Sequence, residues 1–135
     1  MATFNKFNAF VEALAEKVHN LGSDQLTVAL TNTLPTASNS VLADISQISY
    51  TNLSSRNITT TSSSQTSGLY KLILTDLTLT ATGAVGPFRY VVIYNSTAVS
   101  GNLIAWFDYG SSISLANGDT LTIDFDPSTG ILQLQ

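Results

Sequence analysis

Two spacings of apolar residues divide this chain. Over Thr3–Gly22, Phe4, Phe7, Val11, Leu14 and Val18 recur at three- and four-residue intervals. Phe10 and Leu21 widen the stripe, and Lys6, Asn8, Glu12, Glu16 and Lys17 fall opposite it. That period gives a helix one apolar face and predicts an amphipathic α-helix over about residues 4–20. Thr3 is placed to cap its N-terminus, and Gly22 to supply the left-handed residue at its C-terminus. From Ser23 the period becomes two. Gln25–Thr31 alternates Leu26, Val28 and Leu30 with Thr27, Ala29 and Thr31, a strand pattern that Pro35 brings to an end. Val41–Tyr50 predicts a short strand with an irregular flank, because Ile45 and Ile48 are out of step. The polar run Thr51–Gly68 reads as strand over Ile58–Thr61 and as a mobile connection elsewhere.

Leu69–Thr82 carries the strongest strand signal, with a break inside it. Its apolar parity runs Tyr70, Leu72, Leu74 and then shifts to Leu77, Leu79 across Thr75–Asp76. Such a shift predicts a bulge or bend where a strand passes from one sheet to another. Phe88–Asn95 is apolar on both faces, as in a central or covered strand. NLIAWFDYG, ISLANG, DTLTIDFD and ILQLQ follow as strands separated by short turns, and Gly83, Gly86 and Pro87 mark the longest late loop. Strand-like runs at roughly ten-residue spacing predict a mainly β protein, a sandwich or small barrel. The whole chain, 1–135, reads as one domain: a helix over about 4–20, then a β-sandwich over about 25–135.

Composition narrows the chemistry. Only 10% of residues are charged, against about 25% in an average domain, and serine, threonine and asparagine fill the difference. Such a surface is polar but has little like-charge repulsion between copies, which suits a protein held in a permanent assembly. The net charge of −4 and the scatter of Lys6, Lys17, Arg56, Lys71 and Arg89 argue against nucleic acid as a partner. With no cysteine, thiolate chemistry and disulfides are excluded. No apolar run reaches the length of a membrane span, so no membrane partner is expected. Glu12, Glu16 and Lys17 interrupt any secretory apolar core, which predicts synthesis in a cytoplasm.

Candidate catalytic and ligand groups each have a simpler structural reading. Asp124 and Asp126 would share the outward face of a strand, Asp119 lies in an Asn-Gly-Asp turn, and Asp126–Gly130 reads as a further turn. The stretch lacks the glycine-spaced pattern of a calcium loop. Asp108, between Phe107 and Tyr109, is the carboxylate best placed for a shifted pKa, and it also suits a turn cap at a strand end. His19, the lone histidine, cannot build a multi-histidine metal site; near a helix C-terminus its cationic form interacts favourably with the dipole. Tyr90, Trp106 and Tyr109 could form a sugar-stacking platform, although burial is the commoner fate of such aromatics. Arg89 is the charge best suited to an ion pair or an interface. No catalytic residue, metal site or cofactor is predicted.

Three segments, FNKFNAFVEALAEKVHNLGSDQLTVALTNTLP, GPFRYVVIYN and LIAWFDYGSSISLANGDTLTIDFDPSTGILQL, resemble in texture and order the small structural proteins of tailed-bacteriophage virions, of the capsid decoration or cement type. None of them is a catalytic or ligand signature. The resemblance implies a non-enzymatic component of the virion, with a jelly-roll-like β-sandwich, that binds the outer capsid surface across major capsid protein subunits. Dimers or trimers would let one unit bridge several shell subunits. A tail-tube, neck or fibre-associated protein is the alternative within the same particle, and a carbohydrate-binding module the alternative outside it. Phe4, Phe7, Phe10, Arg89, Tyr90 and Tyr109 are the residues expected to face a partner.

Overall fold

The stretch that is apolar on both faces lies mid-sheet. A computed structural model describes residues 3–135. Its elements are β1 (Asn5–Lys6), α1 (Asn8–Ala15), β2 (Leu26–Thr31), β3 (Asn57–Ile58), β4 (Thr60–Thr66), β5 (Leu69–Leu74), β6 (Leu77–Thr80), β7 (Val85–Asn95), β8 (Leu103–Leu115), β9 (Thr120–Ile123) and β10 (Leu132–Leu134). The protein is mainly β, with antiparallel sheets in the orders β1-β8-β7-β2-β3, β10-β5-β4 and β6-β9. β2 and β7 pair from Leu26↔Asn95 to Thr31↔Tyr90. Val28, Leu30, Val91 and Ile93 join the main core with Phe10, Leu72, Leu79, Phe88 and Ile104. Ala29, Val92 and Tyr94 join a second cluster with Phe7, Ile45 and Leu103. Two buried faces explain why β7 lacks a polar side. The parity shift at Thr75–Asp76 is likewise visible: β5 belongs to the three-stranded sheet and β6 to the two-stranded one.

The N-terminal segment departs from its periodicity. Asn5 and Lys6 pair with Trp106 and Ala105 as a short strand, so Phe4 precedes β1 rather than a helix. The helix occupies only Asn8–Ala15, with Phe7 at the N-cap and no side-chain cap bond, so Thr3 does not cap it. It stops at Lys17, whose φ is 67°. The Val18 N–H donates to the Ala13 carbonyl and the Lys17 N–H to that of Leu14, the pair of bonds that closes a helix through a left-handed residue. Lysine thus occupies the position that Gly22 was expected to fill. Shortening also rotates the apolar face: Phe7 and Phe10 are buried, whereas Val11 and Val18 are exposed.

Four further expectations change. Val41–Tyr50 holds a 3-10 turn at Leu42–Asp44 and isolated bridges instead of a strand. Asp44 stabilises that turn by accepting from the Ser40 and Val41 N–H groups. The expected mobile connection contains β4, which pairs with β5 as a hairpin. β7 already begins at Val85, so Gly86 and Pro87 lie in a strand rather than a loop. Finally, no turn separates NLIAWFDYG from ISLANG, because β8 continues through Gly110. Between the pairs Tyr90↔Asp108 and Phe88↔Ile113, β8 has Tyr109–Ser112 where β7 has only Arg89. The strand absorbs the excess as a bulge, with Gly110 at φ 91°.

Candidate functional site

A half-open groove of about 850 Å³ lies between β8 and the end of β9 with the segment that follows it. Phe4, Val91, Phe107 and Tyr109 form one side, and Thr122–Asp126 with Thr129–Ile131 form the other. Phe4 meets Phe107 edge-on at 6.0 Å between ring centroids. Among the described residues, β1 pairs with β8 only at Ala105 and Trp106, and the groove lies beside the stretch of β8 beyond them.

Two of its three carboxylates have structural partners. Asp108 receives both Arg89 Nε (2.8 Å) and Arg89 Nη2 (3.0 Å), and its Oδ1 also accepts the Gly110 N–H at 2.7 Å. These bonds close the bulge from both strands, and they hold the Asp108 carboxyl below its ordinary range. Its place is therefore mid-strand, not at a strand end. Asp126 accepts the N–H and hydroxyl groups of both Ser128 and Thr129, which drives its carboxyl far below the usual range. A general acid of a glycoside hydrolase needs a shift in the opposite direction. Asp124 lies just past the end of β9 and is exposed, so the outward strand face expected for Asp124 and Asp126 does not form. Asp119 accepts the Ala116 N–H in the turn before β9.

The aromatic platform is divided by the sheet. Trp106 lies against Phe7 at 4.6 Å between ring centroids, beside the second cluster, whereas Phe107 and Tyr109 line the groove. Tyr90 is buried, with the Arg89 guanidinium 5.4 Å from its ring centre. Of the residues expected at a partner interface, Phe7, Phe10 and Tyr90 are enclosed by their own chain. Phe4 is partly buried, while Arg89 and Tyr109 keep 38% of their surface exposed. The helix therefore turns its phenylalanines inward. Large apolar side chains instead emerge at Val11, Leu34 and Val99.

His19 does not sit at an exposed helix end. It is 5% exposed, its ring is 5.3 Å from that of Phe10, and burial pushes its pKa down against the opposing pull of Asp24. Its partner is Asn95, at the end of β7 and fully buried. That role was not predicted from the sequence, although an asparagine closing an apolar run before Ser-Thr is a common turn signal. Arg56 was also passed over: its guanidinium lies 3.6 Å from the Tyr50 ring centre and donates to the Val28 carbonyl. Burial raises the Tyr50 pKa, and its hydroxyl accepts the Leu30 N–H while donating to Gln47. Comparison of the chain with protein-family models, with curated proteins and with solved structures gives no match.

Proposed function

We propose that this chain is a non-enzymatic structural protein of a tailed-phage particle, with its sheets arranged as a jelly-roll-like β-sandwich. In this reading it decorates the capsid as a dimer or trimer and cements neighbouring major capsid protein subunits from outside. The texture of the sequence suggests the class of particle. The observation that carries the reading is β4, a seven-residue strand at the end of its sheet without a charge or a proline. Strand edges open to solvent are usually guarded by lysine, proline or burial. An unguarded edge suits addition of a strand from a partner, with main-chain hydrogen bonds supplying affinity. Val99 and Leu34, exposed on loops, add apolar contact points, and repetition over a shell turns weak contacts into firm attachment.

The test is cryo-electron microscopy of phage heads incubated with the purified protein. The expected result is regular density over the junctions between shell subunits. A double variant, Ser64→Lys with Thr66→Lys, charges the exposed positions of β4 and should weaken that occupancy while leaving the circular dichroism spectrum unchanged. Density at the neck or tail alone would replace cementing with the alternative role in the same particle. No binding to any part of the particle would end the proposal.

A further inference from the structure

The polar network around His19 has only one consistent arrangement of protons. Asn95 Oδ1 receives the N–H groups of Thr97 (2.9 Å) and Ala98 (3.1 Å). Backbone N–H groups can only donate, so that atom must be the oxygen, and the amino group must lie on the other side. The amino nitrogen donates to Asp24 Oδ2 at 2.6 Å and faces His19 Nδ1 at 3.0 Å. His19 Nδ1 is therefore an acceptor and carries no proton. In the neutral ring the proton resides on Nε2, a buried atom with no partner among the described residues. Asp24 also accepts the Asn20 N–H at 2.8 Å, so the segment between the helix and β2 is tied to β7 through this cluster. The Ser96 N–H to Gln25 carbonyl bond and the Gln25 N–H to Thr97 Oγ1 bond, both 2.9 Å, complete the attachment.

We propose that His19 is an acid-released latch: neutral, it accepts from Asn95 and fastens the Val18–Gln25 segment to the end of β7; protonated, it lets that segment go. A proton on Nδ1 would set two donors against each other at 3.0 Å. Asn95 cannot relieve this by turning its amide, because its oxygen is held by two backbone N–H groups. The cation would also lie on a residue of which only 5% meets solvent. The titratable groups around the ring are Asp24 on its own segment, Lys17 at the end of α1 and Tyr70 on β5, which border a shared groove. α1 contributes Phe10 and β7 contributes Asn95, neither of which titrates. Only Asp24 favours the cation, and it is already engaged by Asn95 and Asn20. Release would open the groove in which Leu14, Val18 and Leu134 also lie.

The chain has one histidine, so its NMR signals need no assignment by mutation. Long-range proton–nitrogen spectra near neutral pH should show the Nε2–H tautomer, and the ring should titrate below about 6.5, the ordinary value. The latch is then fully engaged above that pH and is lost as pH falls toward the folded-state value. Amide exchange at Gln25 and Ser96, corrected for intrinsic rates, should rise by up to about tenfold per pH unit as pH falls from about 6.5 to the folded-state midpoint and level off below it, relative to amides of β2. In His19→Asn, Oδ1 replaces Nδ1 as a permanent acceptor, and this rise should disappear. An Nδ1–H tautomer, titration at or above the ordinary value, or unchanged exchange at Gln25 and Ser96 in the wild-type protein would overturn the proposal. So would the same acid-dependent rise in His19→Asn.

Discussion

Phe7 and Val11 were expected on one helical stripe, and the fold separates them. Phe7 is fully enclosed between β1 and the helix, against Trp106 and in the second cluster with Ile45, Val92 and Leu103, whereas Val11 is 52% exposed. Burial of a phenylalanine removes roughly 150–250 Å² from water, worth about 4–6 kcal/mol at about 25 cal/mol per Å². Measured Phe→Ala costs of about 3–5 kcal/mol agree with that figure. Phe7→Ala should therefore destabilise the protein by about 4 kcal/mol and lower Tm by roughly 15 °C. Phe7→Leu, which keeps the site apolar, should lose about 1 kcal/mol. Val11→Ala should stay within about 0.5 kcal/mol of the wild type, since half its surface is already in water. The assay is urea unfolding followed by far-ultraviolet circular dichroism and by fluorescence. Trp106 is the sole tryptophan and lies against Phe7, so its native emission should also change in Phe7→Ala. Equal costs for Phe7→Ala and Val11→Ala would restore a helix over residues 4–20 and refute the strand–helix entry described here.

Two other outcomes follow from the turns. Asp126 is held below its ordinary pKa by Ser128 and Thr129, so its contribution to stability is complete above about pH 4 and is lost as pH falls below that. Asp126→Asn should flatten the acid limb of a stability-versus-pH curve, and an unchanged limb would remove this role from Asp126. Gly130 has φ 75°, and an added Cβ would collide with the Leu72 carbonyl. Gly130→Ala should cost more than about 1 kcal/mol in urea unfolding, while Gly118→Ala, where a Cβ meets nothing within 4 Å, should cost less despite its similar φ of 88°.

The legible parts of this fold were those that repeat. Alternation marked β2, and double-sided apolarity marked β7 as central, because burial on both faces leaves no polar parity. The parity shift at Thr75–Asp76 marked the passage between sheets, since a residue out of step reverses every side chain after it. The errors fall where one contact overrides the pattern. Phe4, Phe7 and Phe10 satisfy a helical period, but the pairing of Asn5 and Lys6 with β8 claims the first of them. Lys17 ends the helix in a conformation for which lysine gives no sequence signal. Threonine and serine in β4 looked like loop because a strand without apolar positions has no periodicity to read. In the candidate site, the turn roles of Asp119 and Asp126 were legible from the Gly and Pro beside them. The partners of Asp108 and His19 were not, because Arg89 and Asn95 reach them only through the pairing of β7 with β8 and the closing of the loop before β2 onto β7.

The pairing of the first strand with a late one has a consequence for synthesis. Asn5 meets Trp106, so this early segment leaves the ribosome well before its partner, which is made about a hundred residues later. At translation rates of about 5–20 residues per second, Phe4, Phe7 and Phe10 stay without their native cover for roughly 5–20 s. These three aromatic side chains are thus uncovered while the intervening strands are made. A chaperone that binds short aromatic segments would find its target there, and β8, once made, would displace it.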